Sequence, residues 1–243
     1  MSRKTIVSVL VPCYNESANI KNLIERTTEV LTTMSVPFEV VIVDDGSSDD
    51  TYDKAVELKE EYPWLIAIKH EKNAGIAHAW ATAFNASSGE IVVTIDADMQ
   101  YRPEDIPQLI SLVREGFDLA QGWRAWNPQG NKIRRLMSLG FSFLLNFFFP
   151  IGLKDIKSGF IAYRREAFKE ILEDRGYFRY FQHFPTIAAK SKGFSVTQVP
   201  VIFERRIAGK SFISNAVVFG LKAMLDLPTA LKLYRKRIRK CAE

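Results

Sequence analysis

Two aspartates separated by one small residue, Asp96 and Asp98, have the residue type and spacing that most clearly suggest chemistry in this chain. They follow the apolar run EIVVTI (90–95), and Gln100 comes two positions later. Residues two apart in an extended segment point to the same side, so both carboxylates and the Gln100 carbonyl can face one point. Hard divalent cations prefer such oxygen ligands. We therefore predict a Mg²⁺ or Mn²⁺ site at these three residues, with positions left for phosphate.

Two other roles suit an aspartate pair. Paired carboxylates catalyse glycoside hydrolysis, but they need a separation of ~5 to 9.5 Å across a substrate, and adjacent residues on one side of a segment are poorly placed for that. Asp96 and Asp98 could otherwise only cap the helix that begins near Pro103. The metal interpretation is favoured because Asp44 and Asp45 follow another buried-type strand and are expected at the same rim.

The pattern of apolar runs indicates which elements position these aspartates. Four β-branched runs are predicted strands, and each precedes a helical stretch: 5–11 before 17–33, 38–43 before 50–62, 64–69 before 74–87, and 90–95 before 103–115. Later in the chain, DLAQGW and 195–203 are further strands and 132–148 is an aromatic-rich helix. Such runs with crossover helices predict an α/β fold with a doubly wound, mainly parallel sheet.

In sheets of this kind, ligands bind where the carboxyl ends of the strands meet the following loops. The first strand ends near Tyr14 and Glu16, the second at Asp44 and Asp45, and the fourth at the Asp96 cluster. The chain contains no GxGxxG and no GxxxxGK[ST] motif, so neither a Rossmann dinucleotide site nor a P-loop is supported. The acidic rim is therefore the predicted ligand site.

The charge of the chain is unevenly distributed. The net charge is +5, but Lys232–Lys240 holds six basic residues and no acid, and the rest has 27 basic against 28 acidic residues. A terminal basic cluster after an apolar segment is typical of contact with anionic lipid rather than with nucleic acid. We predict a main domain over 1–212, an amphipathic, basic, membrane-associating extension over 213–243, and no nucleic-acid partner.

The most apolar stretch, Leu139–Leu153, is shorter than the ~20 residues that a spanning helix needs, and Asn146 and Pro150 interrupt it. Residues 216–234 are also apolar but contain charges, which favours an interfacial helix. The N-terminal run has no small-residue cleavage site. These features predict an intracellular protein that lies peripherally on the cytoplasmic face of a membrane.

Five sequence blocks in order resemble the family 2 glycosyltransferases of the GT-A fold: VPCYNE, VVIVDDGSSDDT, KNAGIAHAWATAF, DADMQYRPED and DIKSGF. The similarity covers residues 5 to about 212 and is nearest to the branch of dolichyl-phosphate mannose synthase and related polyprenyl-phosphate glycosyltransferases. It implies a GDP- or UDP-sugar donor, a divalent metal, inversion at the anomeric carbon, and a dolichyl or undecaprenyl phosphate acceptor. It also leaves room for a membrane-embedded partner protein.

The resemblance implies roles for individual residues. The donor-binding positions would be Pro12, Tyr14, Glu16, Val43, Asp45, Asp96, Ala97, Arg206 and Lys210. The acceptor-phosphate positions would be Arg124, Arg134 and Ser138, and the metal ligands would be Asp96, Asp98 and Gln100. Asp98 and Arg206 would be catalytic, because they would stabilise the departing diphosphate.

The sequence departs from the family pattern at Phe212, where the family loop R-x-x-G-x-S-K has a lysine, and at Gln182, where a basic residue is common. Phosphate binding is therefore expected to be rearranged, with Lys210 as a substitute. His183 lies among aromatic residues, which favours a packed histidine over a base.

The acceptor decides whether a base is needed. A phosphomonoester has a second pKa of about 6, so it is already largely anionic near neutral pH and needs no general base. A sugar hydroxyl would need one, and Asp155 or a neighbour of Asp98 would be the candidate. The alternative function is thus a soluble family 2 transferase acting on a glycan or protein hydroxyl. A non-catalytic nucleotide-sugar or membrane scaffold is a third.

Overall fold

The structure, a computed structural model, describes residues 6–125, 140, 142–206 and 224–241. The strands in this part are β1 Val7–Cys13, β2 Phe38–Asp44, β3 Leu65–Lys69, β4 Ile91–Thr94, β5 Leu119–Arg124, β6 Ile161–Arg164 and β7 Val196–Val201. The α-helices are α1 Ile20–Thr33, α2 Thr51–Glu57, α3 Ile76–Ala86, α4 Ile106–Arg114, α5 142–148, α6 Arg165–Glu173, α7 Pro185–Ser191, α8 Leu227–Ala230 and α9 Lys236–Cys241. A π-helical segment, Leu231–Arg235, joins α8 to α9.

The strands form one sheet in the order β3-β2-β1-β4-β6-β5-β7. The pairs β1·β2, β1·β4, β2·β3 and β5·β7 are parallel, whereas β6 runs antiparallel to both β4 and β5. The predicted α/β architecture with a mainly parallel sheet is confirmed. All four strands predicted before Gly116 are present, and the two predicted at 118–123 and 195–203 correspond to β5 and β7.

Alternate residues of the central strands fill two separate hydrophobic cores. Leu10 and Val41 point to the side covered by α3, α6 and α7, and Val9 and Ile42 point to the side covered by α1 and α4. All four of these side chains are buried. Helices therefore cover both faces of the sheet, which explains why the strand sequences are almost continuously apolar.

The sequence did not predict β6, which lies between β4 and β5. Its four residues, IAYR, contain one β-branched side chain and end on a charged one, so they do not form an apolar run like EIVVTI at β4. Because β6 pairs with β4, the loop before β6 lies against the end of β4. There the Thr94 hydroxyl donates a hydrogen bond to the carbonyl of Gly159 at 2.7 Å. The DIKSGF motif is therefore held against the end of β4.

The C-terminal helical segment packs on the body of the protein. Four residues at helical spacing are buried: Leu227, Ala230, Tyr234 and Ile238. The Tyr234 ring stacks on Phe178 with centroids 5.6 Å apart, and its hydroxyl donates a hydrogen bond to Asp174 at 3.1 Å. The predicted domain boundary at residue 212 lies outside the described residues. Within the described part of the chain, no helix has both the length and the apolar character needed to cross a bilayer.

Candidate active site

The loops after β1 and β2 are joined by hydrogen bonds between their backbones and side chains. The amide of Asn15 donates to the Ser47 hydroxyl at 2.8 Å, and the amide of Ser48 donates to the Asn15 side-chain oxygen at 2.8 Å. The amide of Glu16 donates to the Thr51 hydroxyl at 2.9 Å. The first two loops of the rim are therefore a single unit that sets the position of the Glu16 carboxylate.

Asp45 holds the loop that precedes α3. Its carboxylate accepts hydrogen bonds from the amides of Ala74 at 2.9 Å and Gly75 at 2.7 Å, and it contacts the His70 imidazole at 2.7 Å. These contacts show that Asp45 stabilises this loop. Its predicted contact with the sugar-nucleotide donor stays a prediction. Val43 has no exposed surface in this structure, and its predicted contact with the sugar-nucleotide donor stays a prediction.

The aspartates after β4 have the alternation that the sequence predicted. Ala97 and Met99 are buried, with 3% and 0% of their surface exposed, whereas Asp96, Asp98 and Gln100 lie on the other side and retain exposed surface. The amide of Gln100 donates to an Asp98 carboxylate oxygen at 3.0 Å. The three predicted metal ligands therefore face the same rim.

Arg206 connects the first and fourth strand ends. Its Nη1 donates to Glu16 Oε1 at 2.6 Å, and its Nη2 donates to Asp98 Oδ2 at 2.8 Å. Burial raises the pKa of both carboxyl groups, and the Arg206 charge opposes that rise. Burial raises the pKa of Asp96 as well, and the neighbouring Asp98 charge adds to the effect. The rim thus carries more acidic charge than Arg206 neutralises, which is the electrostatic condition for binding a further cation.

The DIKSGF segment forms the wall beside Asp96. A Cβ atom built on Gly159 would lie 3.7 Å from each Asp96 carboxylate oxygen. A larger side chain at residue 159 would therefore intrude on the space in front of Asp96. Residue 159 thus borders the space in front of Asp96.

Arg124, at the end of β5, forms a two-pronged ion pair with Asp155. Its Nε lies 2.6 Å and its Nη2 lies 3.0 Å from the two carboxylate oxygens, and the guanidinium lies 5.3 Å from the centre of the Phe203 ring. Although burial raises the pKa of Asp155, the adjacent Arg124 charge outweighs it and holds that pKa below its ordinary value. Asp155 is therefore a persistent anion and a poor general base.

Two further titratable groups, Lys157 and His183, lie near Arg124 and Asp155. We call these four residues the acceptor-side cluster, after the role that the sequence predicts for Arg124. Burial and then the Arg124 charge lower the pKa of Lys157 to about 8. Burial and then the charges of Lys157 and Arg124 lower the pKa of His183 to about 3. His183 is buried and neutral at physiological pH, as its aromatic surroundings predicted.

The structure brings Glu16, Asp96, Asp98, Gln100 and Arg206 to one rim. Pro12 is the second-last residue of β1 and Tyr14 follows the strand and is exposed, whereas Ala97 points into the core. Arg134, Ser138 and Lys210 lie outside the described residues, so their predicted roles remain predictions. Sequence reasoning missed Lys157 and the pairing of Asp155 with Arg124. The only sequence signal for Lys157 and Asp155 was that both lie in the DIKSGF block.

A mainly parallel sheet with an acidic rim at its strand ends, and an arginine from a later loop at that rim, is what the resemblance to the GT-A transferases implies. The family model described as glycosyl transferase family 2 matches residues 8–172. The chain therefore belongs to family 2 of the glycosyltransferases and is an enzyme of that class.

Curated relatives extend the similarity over most of the chain. A dolichol-phosphate mannosyltransferase of Pyrococcus furiosus is 35% identical over 88% of this chain and 60% of its own length. An undecaprenyl-phosphate 4-deoxy-4-formamido-L-arabinose transferase of Serratia proteamaculans is 32% identical over 93% of this chain and 67% of its own length. The chain thus spans about two thirds or less of the length of these relatives.

Solved structures show the same fold. Glucosyl-3-phosphoglycerate synthase of Mycobacterium tuberculosis, in complex with Mn²⁺, UDP and glucosyl-3-phosphoglycerate, matches with a TM-score of 0.73 and 20% identity over 94% of this chain and 81% of its own. The same enzyme with Mg²⁺ and UDP matches with a TM-score of 0.71 and 19% identity over 94% of this chain and 80% of its own. At this identity the likeness shows the fold alone, and it confirms the GT-A fold expected from the sequence.

Proposed function

We propose that this enzyme transfers a hexose, with inversion, from a GDP- or UDP-sugar to the phosphate of a polyprenyl lipid at the cytoplasmic face of a membrane. The observation that carries the proposal is that Asp96 is near two arginine-containing clusters: Arg206 is bonded to Asp98, two residues after Asp96, and Arg124 is paired with Asp155, whose DIKSGF segment borders Asp96 at Gly159. The pKa of Asp96 responds to both the Arg206 charge and the Arg124 charge. A transfer between two phosphate-bearing substrates needs two separate cationic groups, one for each.

The donor side is the cluster of Arg206, Glu16 and Asp98. Arg206 offers a fixed fork of donors that matches phosphate oxygens, so it can bind the leaving diphosphate as negative charge grows there. Glu16 and Asp98 hold the guanidinium at 2.6 and 2.8 Å before any substrate arrives. This preorganisation lowers the cost of orienting the arginine during transfer.

The residues present fit a divalent ion that is shared with the donor. Within the described residues, no group of three or more histidine, cysteine or acidic side chains could hold a metal by itself. Asp96, Asp98 and the Gln100 amide oxygen supply only part of the six oxygens that Mg²⁺ takes, so donor phosphate oxygens would complete the set. When bound, such an ion would neutralise charge on the departing diphosphate.

The acceptor side is compatible with a phosphate nucleophile, which needs no base. Asp155, ion-paired with a lowered pKa, and His183, with a pKa of about 3, are unsuited to act as a base for a hydroxyl, whereas Asp96, with a pKa of about 7, is the base that a hydroxyl acceptor would use. A general base for a hydroxyl works best with a pKa near the operating pH. A phosphate monoester, which is already anionic, needs no such base.

Exposed apolar and basic groups support action at a membrane surface. Phe143 and Phe147, one helical turn apart on α5, are 74% and 70% exposed, and Leu225 is 63% exposed. Large aromatic side chains at this exposure are uncommon on purely soluble surfaces and suit a lipid interface. Lys232 and Lys236 are also exposed on the C-terminal segment.

The test is a screen of GDP- and UDP-sugars for metal-dependent transfer to farnesyl phosphate by the purified protein. We expect one donor to be consumed in proportion to the lipid phosphate, with inverted product. Transfer to a free sugar or a protein hydroxyl instead would establish the alternative, a soluble family 2 transferase. Donor binding without any transfer to either acceptor would favour the scaffold.

A further inference from the structure

A cavity of about 590 Å³ lies beside the C-terminal helical segment and has no role in the proposed transfer. Pockets that hold small ligands in proteins measure about 300–1,000 Å³, so this one has room for more than a single small ion. Four of its lining residues are exposed, so the cavity opens to solvent. The residues that line this C-terminal cavity are Tyr177, Thr229, Lys232, Leu233, Lys236 and Arg237.

The C-terminal helical segment has two different faces. Leu227, Ala230, Tyr234 and Ile238 are buried against the body of the protein. The cavity residues of the same segment recur about one helical turn apart between residues 229 and 237, so they share a second face. The segment is thus anchored by one face and lines the cavity with the other.

Tyr177, the cavity residue outside this segment, is held in place by its neighbours. Phe178 stacks on the Tyr234 ring with centroids 5.6 Å apart. Asp174, three residues before Tyr177, accepts a hydrogen bond from the Tyr234 hydroxyl at 3.1 Å and lies 3.5 Å from the Lys192 ammonium. The two walls are therefore fixed relative to each other before any ligand binds, which lowers the entropic cost of binding.

The charges that line the cavity have one sign. Lys232, Lys236 and Arg237 contribute three positive charges, and among the described residues no acidic side chain lines the cavity. Asp174, close to Tyr177 in the chain, is buried and engaged by Tyr234 and a lysine. The cavity is therefore an electropositive site that attracts an anion.

The rest of the lining is apolar or amphipathic. Leu233 is half-buried, the Tyr177 ring is 63% exposed, and the carbon stems of the lysine side chains add apolar surface. A free phosphate ion has no group to place against these surfaces, whereas a phospholipid carries its phosphate next to glycerol and acyl carbons. Tyrosine is also enriched where proteins meet the membrane–water interface. The lining thus favours a lipid headgroup over a free ion.

We propose that the C-terminal cavity binds the headgroup of an anionic phospholipid that ends in a phosphate monoester. The phosphate contacts Lys232, Lys236 and Arg237, and the glycerol and first acyl carbons pack against Leu233 and Tyr177. A phosphate monoester carries a charge of about −1.5 to −2 at neutral pH, which suits three cations better than a singly charged headgroup does. The site therefore distinguishes headgroups, which a general attraction of basic residues to anionic lipid does not.

A lipid bound in the cavity places the acceptor-side cluster near the membrane. Tyr177 begins a short stretch of chain that reaches His183 of that cluster six positions later. Asp226, at the start of α8, fixes this stretch, because it accepts hydrogen bonds from the amides of Arg179 at 3.2 Å and Tyr180 at 2.6 Å. The cavity and the acceptor-side cluster are therefore linked through one anchored stretch.

The experiment measures vesicle binding without donor or acceptor, so its outcome does not depend on the proposed function. Phosphatidylcholine vesicles carry either phosphatidic acid or phosphatidylserine, in amounts adjusted to equal surface potential. The wild type should bind the phosphatidic acid vesicles about tenfold more tightly, which is the effect of one additional charged hydrogen bond. Inorganic phosphate at constant ionic strength should leave this preference in place.

Thr229→Phe tests the cavity with every charge kept. The larger side chain fills the space, so the preference for phosphatidic acid should disappear, while binding to phosphatidylserine vesicles stays within about twofold of the wild type. Tyr177→Ala removes an exposed ring from the other wall. It should reduce the preference without lowering Tm, which keeps the test valid if Thr229→Phe fails to fold.

Lys236→Gln and Lys169→Gln form a matched pair. Each removes one exposed lysine, but only Lys236 lines the cavity. Lys236→Gln should weaken binding to phosphatidic acid several-fold more than binding to phosphatidylserine. Lys169→Gln should affect binding to the two lipids equally, because it changes only the total charge.

Equal binding of the wild type to both lipids would overturn the proposal, and so would a preference that survives both Thr229→Phe and Tyr177→Ala. Loss of the preference in inorganic phosphate would mean a site for a free ion instead of a lipid. Equal weakening for both lipids in Lys236→Gln would mean that the segment attracts membranes through its total charge alone. A failure to transfer sugar to a lipid phosphate would disprove the proposed function and leave these results unaffected.

Discussion

Arg206 donates a hydrogen bond from Nη2 to Oδ2 of Asp98 at 2.8 Å, although the two residues are 108 positions apart in the chain. Asp98 is also a predicted metal ligand. The guanidinium therefore shares the carboxylate that a divalent ion would use. Replacing Arg206 should therefore leave or raise the affinity for metal and lower the rate of transfer.

We predict that Arg206→Ala binds Mn²⁺ without donor at least as tightly as the wild type, while transfer falls by about 100-fold or more. The first effect follows because a competing cation leaves Asp98 and Glu16, and the second because the leaving diphosphate loses its arginine. Paramagnetic resonance of free Mn²⁺ measures the binding, and donor consumption measures the rate. Arg26→Ala, which breaks the exposed pair with Glu104, is the control. Weaker Mn²⁺ binding in Arg206→Ala would contradict the shared use of Asp98.

Lys210→Ala should cost less than Arg206→Ala in donor Kd and kcat, because arginine presents a fixed fork to phosphate and lysine a mobile point charge. Phe212→Lys should give little gain in donor affinity if Arg206 carries the charge of this loop. The comparison is made with metal saturating. A silent Arg206→Ala, or a large gain from Phe212→Lys, would show that the loop is assigned wrongly.

Asp98→Asn should abolish transfer, and EDTA should do so in the wild type reversibly with Mg²⁺ or Mn²⁺. The substitution keeps the size of the side chain and removes the charge that attracts the ion. Glu25→Gln, an exposed position on α1, is the control and should retain full activity. Full activity of the purified wild type in chelator would refute the metal requirement.

Asp96→Asn and Asp155→Asn should change stability in opposite directions. The pKa of Asp96 is raised in the fold by burial and Asp98, so its ionised form costs stability increasingly as pH rises above its unfolded value of ~3.9. The pKa of Asp155 is lowered by Arg124, so its ionised form adds stability that is present above ~3.9 and lost at lower pH.

At pH 8 without metal, the Tm of Asp96→Asn should therefore rise by about 2–4 °C for each ~1 kcal/mol relieved, and that of Asp155→Asn should fall. The gain in Asp96→Asn should shrink towards pH 5, where the wild-type carboxyl is closer to neutral. Scanning calorimetry at the two pH values measures both. Equal effects of the two variants would show that the charges of these clusters are assigned wrongly.

Replacing Phe143 and Phe147 with serine should weaken binding to lipid vesicles without lowering Tm, because both rings are exposed in the described structure. Val56→Ser, at an exposed apolar residue of α2, is the control and should leave vesicle binding unchanged. Sedimentation with neutral and anionic vesicles measures the effect. Unchanged sedimentation of the double variant would remove α5 from the membrane surface.

The basic extension is best tested by substitution. Deleting residues 232–243 would also remove Tyr234 and Ile238, which are buried in the core. Serine at the exposed residues Lys232, Lys236 and Arg237 should reduce binding to anionic vesicles, at ~1 kcal/mol per charge, and leave the fold intact. Higher salt should reduce wild-type binding as well, since the screening length falls from ~10 Å at 0.1 M to ~3 Å at 1 M.

The matched control for net charge replaces with serine three exposed lysines that are far from the C-terminal segment in sequence: Lys21, Lys59 and Lys169. An equal loss of vesicle binding in both triple variants would mean that total charge, and not the C-terminal segment, governs the interaction.

Tyr234→Phe should lower the free energy of unfolding by about 1 kcal/mol through the lost hydrogen bond to Asp174, and Tyr234→Ala by about 3–5 kcal/mol through the cavity.

The residues that type and spacing identified, apart from the family resemblance, are those whose geometry is local. Asp96 and Asp98 could be placed on one side because strand periodicity depends only on neighbouring residues, and the apolar run before them marks a buried strand. The same reasoning predicted a mainly parallel sheet with its rim of strand ends. It did not predict β6, since the residues IAYR contain one β-branched side chain and form no apolar run that separates a strand from a loop.

Only the tertiary structure decided which charges meet. Arg206 and Glu16 are 190 positions apart, and Arg124 and Asp155 are 31 apart across β5 and the loop before β6. No propensity or spacing rule predicts such pairs. The ends of different strands are brought together by the order of strands in the sheet and by the crossover connections, not by their distance in sequence. The position of Lys157 beside Arg124 has the same origin, and so has the burial of Tyr234 in a segment whose sequence shows an amphipathic surface helix. Periodicity specifies the side of an element on which a residue lies, and only packing specifies the partner that it meets there.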